Sequence, residues 1–233
     1  QSADDIYTFE KSYQLVQSLS TSLRATYKQG TTLILKEANS PQLILYILGC
    51  LYARCIPCIL PPNLSEDSYG ALKNRLHGTI VSSEIPQETS ISEPATLSLL
   101  QRASILMSSG STGTPKLISH LLEAHIASAK SAIEAQSFTA TDTWLLSLPL
   151  YHVSGLSIVY RCLGSGGTLY CVLKPSTEDI QSCTHASLVQ TQAQTLQESS
   201  RPASTKLTHL ILGGSSISEK LVERLQHQGY TVY

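Results

Sequence analysis

Ser109-Gly110-Ser111-Thr112-Gly113-Thr114-Pro115-Lys116 lies between two short apolar runs, 103–107 and 117–119. Together they read as a strand, a glycine loop and a return strand. Gly110 and Gly113 can take positive φ, which lets backbone N–H groups converge on an anion without a helix dipole. The hydroxyls of Ser109, Ser111, Thr112 and Thr114 add donors, Pro115 restricts the exit, and Lys116 brings a compact positive charge. The pattern points to phosphate. A Walker loop separates its glycines by four residues and follows its lysine with Ser or Thr at a helix start. Here Leu117 follows and the spacing differs. A plain polar turn between strands is the alternative.

Outward from this loop, helical and strand-like patterns alternate to both ends, which predicts an α/β fold with largely parallel sheets and flanking helices. Ser40-Pro41 reads as an N-cap with proline in the first turn of an apolar helix reaching about residue 53. A strand over 55–60 follows, then a helix capped by Ser65 and closed by Gly78, then a strand over 79–82. Residues 83–97 are polar, contain Pro86 and Pro94, and mark a division of the chain at 97/98. Leu122, Ile126, Ala129 and Ile133 recur at helical spacing, with His125 as a packed core histidine. Further strands are expected over 143–148, 168–172, 186–189 and 207–212, with a helix over 156–163. Ser216 to Glu219 reads as a capping box opening a helix that stops near Gly229, and 230–233 begins one more strand.

The chain has 233 residues, 42% of them hydrophobic, enough for one large domain or two small lobes. With 14% charged residues and a net charge of −1, no basic face is expected for a nucleic-acid backbone. No apolar run approaches the ~20 residues of a membrane span, and the polar opening lacks a signal-peptide pattern. The expectation is a soluble cytoplasmic protein. Among six cysteines, Cys55-Ile56-Pro57-Cys58 has redox or half-zinc spacing, but its apolar, strand-like setting favours small buried hydrophobes.

Two further constellations carry chemistry. Leu148-Pro149-Leu150-Tyr151-His152-Val153-Ser154-Gly155 sets an aromatic residue and a histidine at the C-terminal end of a strand, where ligands of open α/β sheets collect. His152 can donate to a carboxylate or satisfy local backbone, and Gly155 permits a close approach. Arg161 falls in an apolar helical stretch, so it either snorkels to water or reads an anion. Leu212-Gly213-Gly214-Ser215-Ser216 follows a strand as a second glycine turn.

The loop at 109–116 resembles the phosphate-loop signature of the adenylate-forming enzymes, the superfamily of acyl- and aryl-CoA synthetases, luciferases and peptide-synthetase adenylation domains. It departs at Leu117, where that family usually carries a small residue. Trp144-Leu145-Leu146-Ser147-Leu148-Pro149-Leu150-Tyr151-His152-Val153-Ser154-Gly155 looks like the family's aliphatic/His motif in its o-succinylbenzoate-CoA ligase form. Cys183-Thr184-His185-Ala186-Ser187-Leu188-Val189-Gln190-Thr191-Gln192 resembles a segment of the same subfamily, with Gln190 in place of proline.

The resemblance implies the layered N-terminal domain of these enzymes, with a first α/β lobe over 1–97 and a phosphate-loop and acyl-pocket lobe over 98–233. Ser108, Ser109, Gly110, Ser111, Thr112, Gly113, Thr114 and Lys116 would meet the β/γ-phosphates of ATP. Gly213, Gly214 and Ser215 would lie flat against adenine and the acyl group. His152, Arg161 and Ser187 would line the aromatic-acid pocket, His152 with a catalytic part and Arg161 facing a benzoate carboxylate. The chemistry implied is ATP- and Mg2+-dependent formation of an acyl-AMP, followed by transfer to coenzyme A, in menaquinone biosynthesis. The family's aromatic-Gly-x-Thr-Glu motif, ribose aspartate and C-terminal lysine are expected beyond residue 233, which implies an N-terminal fragment with little turnover of its own. Another aryl- or acyl-CoA ligase, or a non-catalytic nucleotide-binding module, is the alternative. Homo-oligomerisation is left open.

Overall fold

Two five-stranded sheets organise the chain in a computed structural model that describes residues 6–84, 96–108, 116–199 and 205–233. They belong to two compact units, Gln1–His125 and Ile126–Tyr233.

The first unit runs α1 (Phe9–Thr26), β1 (Thr32–Leu35), α2 (Pro41–Tyr52), β2 (Ile56–Ile59), α3 (Glu66–Leu76), β3 (Thr79–Val81), β4 (Arg102–Ser108) and β5 (Lys116–Leu121). Its sheet order is β3-β1-β2-β4-β5, parallel except for the β4/β5 hairpin. Leu33, Ile34 and Leu35 are fully buried, the continuous apolar run of a strand covered on both faces. The α2 start is as its sequence reads: Ser40 Oγ accepts from Leu43 N at 3.0 Å, with Pro41 in the first turn. Cys55 and Cys58 are buried, and burial pushes the Cys58 thiol up to about 12, so this pair packs as core.

Two readings change here. Helix α3 ends on His77 in the left-handed region (φ 43), not on Gly78. Gly78 is needed for space instead, because a Cβ there would stand 2.9 Å from the Thr32 carbonyl oxygen. The sequence places a division at 97/98, whereas β4 and β5 hydrogen-bond into the first sheet and the compact units divide at 125/126.

Helix α4 (Leu122–Ala135) spans that division, and the second unit continues with β6 (Thr143–Leu145), α5 (Val153–Ser165), β7 (Thr168–Tyr170), α6 (Thr177–Ser182), β8 (His185–Leu188), α7 (Gln190–Glu198), β9 (His209–Leu212), α8 (Glu219–His227) and β10 (Thr231–Val232). Its sheet is parallel throughout, in the order β10-β9-β8-β6-β7. Leu145, Ala186, Leu188, Leu210 and Leu225 are buried in one core cluster. The expected capping box at Ser216 does not form: Ser218 is the N-cap of α8 and makes no side-chain cap bond. The box forms at α6, where Ser176 and Asp179 exchange side-chain and backbone bonds. Among the described residues no helix is long and apolar enough to cross a membrane.

Candidate acid-binding site

Parallel strands present their carboxyl ends at one edge of a sheet, and connections leaving that edge are natural ligand sites. In the second unit, β6 leads into the turn at 146–152, β8 into Val189, and β9 into Gly213. Leu188 pairs with Leu212 in register, so Val189 and Gly213 are neighbours, and Gly213 N donates to Leu188 O at 3.2 Å.

The two glycines of this turn have different reasons to be glycine. Gly214 sits at φ 88, where a side chain is strained, and a Cβ would lie 3.3 Å from Val189 Cγ1. Gly213 has no positive φ, and a Cβ there would meet nothing within 4 Å. The protein itself does not require glycine at 213. Ser215 is exposed beside them.

His152 is the N-cap of α5 and is exposed; its backbone N donates to Pro149 O at 3.0 Å and its ring stands 4.7 Å from that of Tyr151. Helix α5 starts tight against the preceding turn. A Cβ on Gly155 would lie 2.1 Å from the Pro149 carbonyl oxygen, so the close approach read at Gly155 is taken by backbone.

Arg161 lies two turns along α5 and is half-buried. Its Nε is shielded from solvent and has no hydrogen-bond partner among the described residues. Among the described residues no Asp or Glu oxygen is found paired with it either. Burial holds the guanidinium below the ordinary arginine range. The guanidinium carbon stands 4.7 Å from the centroid of Trp144, whose indole Nε1 donates to Ser187 Oγ at 3.2 Å. Arg161 and Ser187 are thus joined through a residue that the sequence reading placed in a motif but gave no role. Ser147 Oγ donates to Ser187 O, Gln192 Nε2 donates to Ser147 O at 3.2 Å, and Gln192 Oε1 accepts from Val189 N at 3.0 Å. That last bond opens α7 without a Ser or Thr cap.

Of the phosphate-loop residues, Ser108 ends β4 and Lys116 begins β5, paired in register, with Lys116 exposed. Ser109, Gly110, Ser111, Thr112, Gly113 and Thr114 lie outside the described residues.

A family model described as AMP-binding enzyme matches residues 70–233. The chain belongs to this family. Among its AMP-binding relatives, the 2-succinylbenzoate--CoA ligase of Escherichia coli (strain K12) is 34% identical over 223 residues, covering 86% of this chain and 47% of the relative. The ligase of the same name from Salmonella typhimurium is 33% identical over 215 residues, covering 87% and 47%. The chain therefore spans about half the length of these curated relatives (47%). Wild-type E. coli MenE, solved with an m-phenylether-linked analogue of OSB-AMS, superposes with a TM-score of 0.86 at 27% identity, over 98% of this chain and 54% of that one. MenE from Bacillus subtilis in complex with the acyl-adenylate intermediate OSB-AMP gives a TM-score of 0.89 at 21% identity, over 98% and 53%, a likeness of fold.

Proposed function

We propose that this chain carries the acid pocket and phosphate loop of an ATP-dependent acid–thiol ligase that activates o-succinylbenzoate as its acyl-AMP and passes the acyl group to coenzyme A. The observation that carries the reading is Arg161: a half-buried guanidinium whose Nε is shielded from water and which has no carboxylate partner among the described residues. Burying such a charge is costly unless an anion arrives to pair with it. A dicarboxylic aromatic acid supplies that anion with one carboxylate and leaves the other free to react.

In the first step the free carboxylate attacks the α-phosphorus of ATP and pyrophosphate leaves; in the second the thiol of coenzyme A displaces AMP. Activation is needed because a carboxylate oxygen leaves poorly and AMP leaves well. The roles proposed for this chain are binding and orientation. Arg161 and Ser187 hold the distal end of the acid, and His152, exposed at the start of α5, donates to the carboxylate that reacts. Gly213, Gly214 and Ser215 offer flat backbone to adenine and acyl group. The loop from Ser108 to Lys116 takes the β/γ-phosphates, where backbone and lysine offset charge building on the leaving group. The described residues offer no cluster of three or more His, Cys, Asp or Glu groups for Mg2+.

Arg161→Ala is expected to weaken o-succinylbenzoate binding by roughly 30-fold or more while leaving 4-oxo-4-phenylbutanoate, which lacks the ring carboxylate, within about twofold. Isothermal titration of the chain with both acids measures this. Equal losses for the two acids would favour another aryl- or acyl-CoA ligase, and a thermal shift with ATP that no acid alters would favour a nucleotide-binding module. Gly213→Ala is expected to leave stability within about 1 kcal/mol, because open space surrounds the new methyl. The same change should weaken binding of a non-hydrolysable acyl-adenylate about tenfold, on the scale of a close contact blocked. Unaltered adenylate affinity in that variant would remove the flat-backbone role from Gly213.

A further inference from the structure

A half-buried guanidinium with a shielded Nε needs something to hold it. In most proteins that is a carboxylate, but a carboxylate here would already neutralise Arg161 and compete with the incoming acid. The structure supplies a ring face instead. The Arg161 guanidinium carbon lies 4.7 Å from the Trp144 ring centroid, well inside cation–π range. Trp144 is fully buried on β6, and three neighbours immobilise it. Its Nε1 donates to Ser187 Oγ at 3.2 Å, the Phe138 ring meets it edge-on at 4.9 Å, and the His185 ring lies 5.2 Å away. His185 adds no competing charge: burial lowers its pKa, and its Nε2 faces the Gln136 carbonyl at 3.1 Å.

From this arrangement we infer that Trp144 is the positioning residue of the acid pocket, its indole face holding the Arg161 guanidinium in place without neutralising it, so that Arg161 keeps its donors for a carboxylate on the substrate. The inference rests on the reading of Arg161 as the carboxylate-binding group. Trp144 does not touch the acid; it acts through Arg161, and through Ser187, which it fixes on the neighbouring strand. One residue thereby sets two walls of the pocket. A restraint by a quadrupole also explains how the pocket discriminates. A monocarboxylate that never reaches Arg161 gains nothing from Trp144, whereas a dicarboxylate gains a guanidinium already oriented.

The test uses Trp144→Phe, which keeps a ring face and most of the volume, and Trp144→Leu, which removes the ring. Without ligand, the side-chain protons of Arg161 should show an upfield ring-current shift by NMR that Trp144→Leu abolishes; the same shifts in both proteins would overturn the stack. With ligand, calorimetric titration of the 233-residue chain should give roughly tenfold weaker o-succinylbenzoate binding in Trp144→Leu. Trp144→Phe should show about a threefold loss, and binding of 4-oxo-4-phenylbutanoate, the monocarboxylate without the ring carboxylate, should be unchanged in both. If Trp144→Leu does not fold, the threefold loss confined to the dicarboxylate in Trp144→Phe carries the test. No loss in either variant, or equal loss for both acids, overturns the positioning role while Arg161→Ala still reports on the pocket. Failure of the wild-type chain to bind o-succinylbenzoate overturns the functional reading and this inference together. A merely structural tryptophan would lower the melting temperature without separating the two acids.

Discussion

Gly155→Ala is expected to lower the unfolding free energy of the second unit by about 3 kcal/mol or more, a severe effect for adding one methyl group. The new Cβ would stand 2.1 Å from the Pro149 carbonyl oxygen, 2.6 Å from its carbon and 2.7 Å from the Leu148 oxygen. All three are backbone atoms, so no rotamer change relieves the clash; either α5 pivots or the turn before it moves. Alanine's better helix propensity returns at most about 1 kcal/mol, so the clash decides the sign. Both the turn and α5 carry the proposed acid site, with His152 at the cap and Arg161 two turns on, so binding of o-succinylbenzoate, the acid proposed for it, should weaken as well. Urea denaturation followed by the emission of Trp144, the single tryptophan and a member of the same unit, measures the first effect. An unchanged midpoint would show that the turn yields at little cost.

Acid should destabilise the first unit through His125, by up to about 3 kcal/mol between pH 6.5 and 4. The imidazole is buried at 4% exposure; its Nε2 is 2.9 Å from the buried Ser104 Oγ, and the His120 ring is 5.3 Å away. Burial first, and the neighbouring His120 second, pull its pKa down to about 4 from an ordinary 6.5. The sign follows. In that window the unfolded chain binds the proton and the folded chain does not, so stability is full above pH 6.5 and is lost as pH falls toward 4. Asp142 and Asp179, lowered by hydrogen bonds despite opposing burial, and His185, lowered by burial, also lose stability in acid. Comparison with His125→Gln isolates the imidazole: denaturation by circular dichroism at pH 7 and pH 4.5 should show a shallower pH dependence in the variant. Parallel losses in the two proteins would contradict the assignment.

Both effects come from contacts that composition does not reveal, and the same holds for much of the fold. Helices α2 and α3 were legible because Ser40 and Ser65 cap them locally, within three residues of the N–H they accept. Helix α1 was not: its buried face mixes Val16, Leu19 and Leu23 with Gln17, Ser18 and Ser20, so the apolar stripe is interrupted. Helix α7 was missed for a related reason, since it buries only Ala193 and Leu196 and is opened by Gln192 in place of a hydroxyl cap. Ser216 has the spacing of a capping box, yet Ser218 opens α8 and makes no side-chain cap bond.

For the candidate site, side-chain chemistry named Arg161, Ser187, His152 and the glycine turn, but spacing left Arg161 divided between water and an anion. Trp144 had no local signal of a role. Its partners come from α5, 17 residues downstream, and from β8, 43 residues downstream, and no periodicity relates positions so far apart.

What this chain's sequence determined by itself is therefore whatever is settled within a turn or a strand: the α/β alternation, the helix starts with hydroxyl caps, the buried parallel strands, and the residue types able to bind phosphate and carboxylate. The tertiary structure alone decided which of those residues meet, that β4 and β5 join the first sheet, that Gly155 yields its space to a carbonyl, and that a guanidinium rests on an indole. The physical reason is range. Caps, turns and alternation arise from neighbours in sequence, whereas burial, ring contacts and unpaired charge depend on which distant strands the sheet order sets side by side.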